Sequence, residues 1–152
     1  YYCMTGWRIG WMVLPAHAVR AVERIAQSLY ISAPELSQVA AIEAFSSSGA
    51  LDLIKARYAE SRALLMARLP ETGMRIAAPM DGAFYAWCDV SGLTNDSMDF
   101  ARRMLGEAHV AATPGHDFDP IDGPRMMRFS YAGAPADIAR ALDRIEAWLA
   151  VK

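Results

Sequence analysis

The sequence predicts an α/β protein whose second half is a compact α+β unit. In several segments apolar residues recur every three or four positions, which favours helices, and in others every second position, which favours strands. Clusters of serine, proline and glycine separate these segments and indicate turns. The 152 residues amount to about one ordinary domain. Apolar residues make up 54% of the chain, which is high for a free-standing domain. This fraction indicates that part of the surface is covered by another structure.

Three helices are predicted in the first half of the chain. Pro15 begins the first, whose apolar residues repeat at spacings of four, three and four as far as Leu29. The second occupies about residues 35–45, and a long third helix occupies about residues 50–69. One face of the third helix is apolar: Leu51, Ile54, Tyr58, Leu65 and Leu69.

Four short strands are predicted in the second half. Residues 74–77 form the first, and residues 83–90 are so uniformly apolar that they predict a strand buried on both faces. Residues 110–113 form the third. In the fourth, a period of two places Arg128 and Ser130 on one face and three apolar residues on the other: Met127, Phe129 and Tyr131.

Two helices accompany these strands. Asp96 or Ser97 can cap the first, which extends to about Glu107. We expect four of its residues to be buried: Met98, Ala101, Met104 and Leu105. The last helix begins at Pro135 and carries an apolar stripe that we interpret as a core face: Ile138, Ala141, Leu142, Ile145, Trp148 and Leu149.

Charge and composition exclude several classes of protein. A net charge of −2 gives no basic patch, so nucleic acid is not an expected partner. No segment reaches the roughly 18 consecutive apolar residues of a membrane-spanning helix, and no signal peptide is visible. Cys3 and Cys88 lie far apart without a CxxC pattern, which favours reduced thiols in a cytoplasmic protein. No metal site is expected, because the three histidines share no ligand spacing: His17, His109 and His116.

Two arginines are candidates for binding anions. Arg8 lies between two glycines in residues 1–11, and Arg128 lies in the apolar segment of residues 125–132. A guanidinium keeps its charge and donates two parallel hydrogen bonds to an oxyanion. A charge in so apolar a strand is costly unless it is paired or faces a polar cleft. The alternative for Arg8 is an ordinary surface arginine, and the alternative for Arg128 is a strand-edge arginine in a surface salt bridge.

Four segments, in order, resemble the class I/II family of pyridoxal-phosphate-dependent aminotransferases. Residues 1–11 resemble the segment after the cofactor lysine, with Cys3 as a mild departure; the others are residues 82–87, 110–118 and 125–132. The resemblance implies a fold-type-I enzyme. Residues 1–49 would then form the end of its large domain and residues 50–152 its small C-terminal α+β domain, and a long helix would join the two.

The resemblance also implies roles for individual residues. Arg8 would bind the cofactor phosphate and Arg128 the substrate α-carboxylate. The Schiff-base lysine would lie one residue before Tyr1, so that no catalytic residue is expected here. No lysine precedes Lys55, which lies on a charged helix face and is a poor substitute. We therefore expect the C-terminal portion of an enzyme, inactive by itself.

The activity implied for the intact protein is exchange of an amino group between an amino acid and a 2-oxo acid, by a homodimer. Three alternatives stay open: a lyase or synthase of the same fold, an aminotransferase-like sensor domain of a transcription regulator, and an inert fragment. The identity of the amino donor is not determined, since side-chain specificity in this family depends on residues upstream and on the partner subunit.

Overall fold

The computed structural model describes residues 1–151, which divide into two compact units. The first extends from Tyr1 to Lys55, and the second begins at Ala56. The division falls inside the long helix, a few residues after the predicted domain boundary at residue 49, which stays a prediction. No helix among the described residues is long and apolar enough to cross a membrane.

The first unit is helical. A short 3-10 turn at Thr5–Trp7 precedes helices α1 (Ala16–Leu29) and α2 (Glu35–Ala44). The long helix α3 (Ser48–Arg68) begins in this unit, two residues earlier than predicted, and from Ala56 onwards it belongs to the second unit. A 3-10 turn, Leu69–Thr72, follows it. All three predicted helices are confirmed.

The second unit contains one antiparallel sheet of four strands. These are β1 (Arg75–Ile76), β2 (Tyr85–Asp89), β3 (Thr113–Pro114) and β4 (Met126–Ser130). Their spatial order is β1-β2-β4-β3, so that β4 lies between β2 and β3. Arg128 on β4 faces its register partners on both neighbouring strands: Trp87 and Thr113.

Two helices complete this unit. Helix α4 (Ser97–Arg103) continues into a π-helical turn at Met104–Ala108, and α5 (Pro135–Ala150) is the last helix of the described residues. The Asp96 side chain caps α4 by accepting a hydrogen bond from Asp99 N–H at 3.0 Å, as predicted. The core lies among the sheet, the helices and the end of α3; its most deeply buried members include Leu69, Met74, Cys88, Phe100, Met104, Met127, Leu142 and Ile145.

Two strand predictions were wrong in detail. β2 is buried on one face only, because Ala86 and Cys88 enter the core while the alternate residues are partly exposed. The third strand was predicted at residues 110–113, but only Thr113 of these residues pairs with β4. Val110 instead lies in the core, where its N–H donates to the Met104 carbonyl oxygen at 3.3 Å and closes the preceding helical turn.

The predicted buried face of the helix after Asp96 was partly wrong. Met98 and Leu105 are 36% and 56% exposed, whereas the apolar residues that enter the core are spaced by four: Phe100, Met104 and Ala108. The helix widens into a π-helical turn at Met104–Ala108, which changes the direction of the side chains after Met104.

Two glycines hold the loop of residues 115–123 in a close contact. A Cβ atom added to Gly115 would lie 2.5 Å from the Met126 Cβ and 2.8 Å from the Gly123 carbonyl oxygen. Ser97, at the start of α4, donates its hydroxyl to the Gly123 carbonyl oxygen at 2.8 Å. The loop is therefore anchored at both ends, next to the strand that carries Arg128.

Gly115→Ala tests this contact. We expect it to lower the free energy of unfolding by about 1–3 kcal/mol, because an added methyl group would overlap backbone atoms. Gly106→Ala is the matched control, since a Cβ there meets nothing within 4 Å. Urea unfolding of the two variants and the wild-type chain provides the measurement. Equal stabilities for the two variants would show that the loop is not closely packed.

Candidate ligand-binding arginines

Arg128 is half-buried on the face of the sheet that points away from the core. Its strand neighbours Met127 and Phe129 are buried, which confirms the predicted alternation. The guanidinium Nη2 donates to the Thr113 hydroxyl at 3.5 Å, a long and weak hydrogen bond. Thr113 is the register partner of Arg128 on β3, so the sheet itself places the two side chains together.

Two aromatic rings contact the Arg128 guanidinium. Its Cζ lies 4.2 Å from the ring centroid of Tyr85 and 4.2 Å from that of Phe118. Trp87 packs edge-to-face against Phe118, with their centroids 6.1 Å apart. These distances are typical of cation–π contacts, which stabilise a cation without neutralising it.

Arg128 has no acidic partner in the part of the chain that the structure describes. Its Nε atom is buried and makes no hydrogen bond there. The carboxylate of Asp89, on the same face of β2 as Tyr85, is paired instead with Arg75 and the Ser91 N–H. A buried, unsatisfied donor on a cation is costly, and an anionic ligand could satisfy it.

The Asp89 carboxylate makes a testable contribution to stability. Hydrogen bonds from Ser91 and the neighbouring Arg75 guanidinium lower the pKa of Asp89 from 3.8 to about 2. Because the pKa is depressed in the folded state, the stabilisation is complete above about pH 4 and is lost as the pH falls towards 2. We expect Asp89→Asn to cost about 1 kcal/mol at neutral pH, since Arg75 is well exposed and solvent screens the pair.

Unfolding measured against pH is the check on Asp89. The stabilities of the wild-type chain and Asp89→Asn should converge as the pH falls from about 4 to about 2. A stability difference that stays constant over this range would mean that the ionised carboxylate contributes nothing specific.

Arg8 belongs to the first unit and is exposed. Its Nη1 donates to the Thr5 carbonyl oxygen at 2.9 Å, and within residues 1–151 no salt bridge includes it. It lines a cleft of about 260 Å³, together with Gly10, Tyr30 and Ser32. Free guanidinium donors beside a cleft suit a phosphate, so the residues present fit the phosphate group of a cofactor.

The two glycines beside Arg8 have ordinary backbone angles, whereas Arg8 itself does not. A Cβ at Gly6 or Gly10 would meet nothing within 4 Å, and neither glycine has a positive φ. Arg8 itself has a φ of 55°, in the left-handed region that non-glycine residues seldom adopt. Such conformations concentrate at ligand-binding sites.

The segment of residues 82–85 is tied to the strand that carries Arg128. The Tyr131 hydroxyl donates to the carbonyl oxygens of Gly82 and Ala83, at 3.4 and 3.3 Å. Ala83 has a φ of 56°, and the Tyr131 N–H donates to the Phe84 carbonyl oxygen at 2.9 Å. These bonds fix the backbone from which the Tyr85 ring reaches Arg128.

Other candidate residues are not part of these sites. Among the described residues, no three His, Cys, Asp or Glu side chains are placed to hold a metal ion. The Lys55 ammonium is exposed and lies 3.8 Å from the Asp52 carboxylate, on the surface of α3. Burial raises the pKa of the Cys88 thiol to about 12, so this cysteine is unreactive. The sequence did not predict that Tyr85 and Phe118 contact Arg128, although it drew attention to both segments.

The chain belongs to the class I and II aminotransferases, because the model of the family "Aminotransferase class I and II" matches residues 1–145. Enzymes of this family depend on pyridoxal phosphate. A valine–pyruvate aminotransferase of Mycobacterium tuberculosis is 44% identical over 151 residues, which cover 98% of this chain and 39% of that protein. An aspartate aminotransferase of Pyrococcus horikoshii is 31% identical over 149 residues, which cover 95% of this chain and 38% of that protein.

Solved structures agree with this assignment. An aminotransferase from Mycobacterium tuberculosis matches with a TM-score of 0.91 and 42% identity, over 99% of this chain and 40% of that one. An aromatic aminotransferase from Pyrococcus horikoshii matches with a TM-score of 0.83 and 31% identity, over 97% of this chain and 40% of that one. The predicted fold type I is confirmed, and the chain spans about two fifths of the length of these relatives.

Proposed function

We propose that the chain is the C-terminal portion of a pyridoxal-phosphate-dependent aminotransferase that exchanges an amino group between an amino acid and a 2-oxo acid. The observation that carries the proposal is the Arg128 guanidinium, which is charged, held by aromatic rings and without an acidic partner among residues 1–151. An α-carboxylate is the anion that amino acids and 2-oxo acids share. Bidentate binding to a guanidinium fixes the orientation of such a substrate.

Arg8 has a separate role in this proposal, as the cationic partner of the cofactor phosphate. Its exposed guanidinium and the cleft beside it support this role. Pyridoxal phosphate, when bound, supplies the electron sink that lets a substrate α-proton leave. The lysine that holds the cofactor lies upstream of Tyr1 in this proposal, as the motif around Arg8 implies.

The proposal includes a cytoplasmic homodimer, as the resemblance of the sequence implies. Both cysteines are free, which fits a reducing compartment. Large apolar side chains of the first unit are exposed, which supports contact with further polypeptide in the intact protein: Met12, Val13, Ile25, Leu29, Ile31, Leu36, Val39 and Ile42.

We propose only the class of the substrates, which are an amino acid and a 2-oxo acid. The relatives include a valine–pyruvate aminotransferase, an aspartate aminotransferase and a (5-formylfuran-3-yl)methyl phosphate transaminase, so the substrates that their names give differ widely. Their names favour transamination over elimination by a lyase. The α-carboxylate is the part of the substrate that the residues of this chain address.

Product analysis of the intact enzyme tests the reaction. With pyridoxal phosphate, an amino acid and a 2-oxo acid, we expect equal amounts of a new amino acid and a new 2-oxo acid. Release of ammonia without amino transfer would indicate a lyase. Binding of the amino acid with no turnover, together with binding to DNA, would indicate a regulator.

The 152-residue chain alone should show no transaminase activity. Incubation with pyridoxal phosphate, borohydride reduction and peptide mapping should give no stoichiometric label, because Lys55 is an exposed surface residue. A single stoichiometric adduct on Lys55, accompanied by turnover, would contradict the position that we assign to the catalytic lysine. Slow and scattered labelling is the expected background of an exposed amine.

A further inference from the structure

The two aromatic rings that contact Arg128 do not belong to the hydrophobic core. Tyr85 is 36% exposed and Phe118 is 51% exposed, although both are large and apolar in their rings. Each lies 4.2 Å from the same guanidinium. We call Tyr85 and Phe118 the aromatic clamp.

The register of the sheet places Tyr85 beside Arg128. Arg128 lies opposite Trp87 in the ladder between β2 and β4, and Tyr85 is two residues away on the same face of β2. Diagonal neighbours of this kind lie within reach of an aromatic side chain. The hydrogen bonds from Tyr131 to the preceding carbonyl groups hold the backbone before Tyr85.

The hydrogen-bonded loop of residues 115–123 places Phe118 beside Arg128. The Phe118 N–H donates to the Gly115 carbonyl oxygen at 2.9 Å. The Asp119 carboxylate accepts hydrogen bonds from the N–H groups of Ile121 and Asp122, at 2.8 and 3.0 Å. These bonds and the contact between Gly115 and Gly123 do not involve the Phe118 side chain. The loop therefore presents an exposed ring in a fixed position without depending on that ring.

The chemistry of the clamp differs from that of an ion pair. A carboxylate beside Arg128 would orient the guanidinium but would also cancel its charge. Aromatic rings orient a guanidinium through their π faces and leave its positive charge available. The nearest acid on that face of β2, Asp89, is occupied by Arg75 and Ser91.

We propose that Tyr85 and Phe118 are positioning residues, which hold the Arg128 guanidinium in the orientation that receives the substrate α-carboxylate. This inference rests on the proposed function, since it takes the carboxylate ligand from it. The clamp acts on substrate affinity through Arg128, and the rings take no part in the chemical step.

The test uses the intact enzyme with ¹⁵N-labelled arginine and propionate as the probe, with propionamide as its uncharged control. The Nε–H resonance of Arg128 reports the exchange of its buried proton with water and the binding of propionate. The variants are Tyr85→Leu and Phe118→Leu, with Tyr85→Phe as the conservative change. Ile121→Ala is the matched control, because Ile121 is an exposed apolar residue of the same loop.

We expect each leucine variant to raise the Kd for propionate about tenfold and to speed exchange of the Arg128 Nε–H, since one cation–π contact is lost. Tyr85→Phe should restore the Kd to within about twofold, because the ring is retained. In the intact enzyme the leucine variants should raise KM for the amino acid far more than they lower kcat.

Two results would overturn the inference: leucine variants that bind propionate as the wild-type enzyme does, or a wild-type Arg128 resonance that does not respond to propionate. A different result would contradict the proposed function. An intact enzyme that does not transfer amino groups, while propionate binding still depends on the clamp, would defeat the function and leave the clamp in place.

Discussion

Arg128→Ala in the intact enzyme should lower kcat/KM by roughly 30- to 5,000-fold, because losing one partner of a buried charge-assisted pair costs about 2–5 kcal/mol. The variant should still bind pyridoxal phosphate. Arg128→Lys should restore little activity. An ammonium cannot donate the same two parallel hydrogen bonds, and it has no planar group that could stack on the aromatic clamp. Steady-state kinetics with one amino acid and one 2-oxo acid provide the measurement.

Arg125→Ala is the matched control for this substitution. Arg125 is an exposed arginine just before β4 and pairs with Asp122 at 2.5 Å. Surface pairs of this kind contribute about 1 kcal/mol or less, so its removal should leave kcat/KM nearly unchanged. Comparable losses in both variants would mean that positive charge near β4, and no specific site, is what the enzyme needs.

Arg8→Ala should weaken the binding of pyridoxal phosphate by roughly 30-fold or more, because the phosphate loses a bidentate charged partner. Saturating cofactor should recover most of the turnover. Arg20→Ala is the control, since Arg20 is an exposed arginine of the same unit that pairs with Glu23. Spectrophotometric titration with the cofactor gives both dissociation constants. An unchanged Kd in Arg8→Ala would remove Arg8 from the phosphate site.

The elements that the sequence predicts well are those with one buried face and a clear period. Helix α5 buries Leu142, Ile145 and Trp148, all of which belong to the predicted stripe. The alternation around Arg128 is confirmed for the same reason, since a strand that borders both core and solvent must alternate. The family was identified from short motifs, which need no tertiary contacts to be recognised.

The details that the sequence could not predict depend on contacts between distant residues. Tyr85 and Phe118 are 33 positions apart, and they meet at Arg128 only through the strand register and the anchored loop. The same holds for β2, whose uniform apolar composition conceals that only one face meets the core. The left-handed conformation of Arg8 has no signature in the sequence either, since glycine is the residue expected there.

The most direct test of this account measures cofactor affinity and kcat/KM side by side for Arg8→Ala and Arg128→Ala in the intact enzyme. We predict two separate defects: Arg8→Ala loses cofactor affinity and recovers with added pyridoxal phosphate, whereas Arg128→Ala keeps cofactor affinity and loses catalytic efficiency that no cofactor concentration restores. If Arg128→Ala lost the cofactor and regained normal efficiency on resupply, or if Arg8→Ala changed only substrate affinity, the two assignments would be wrong.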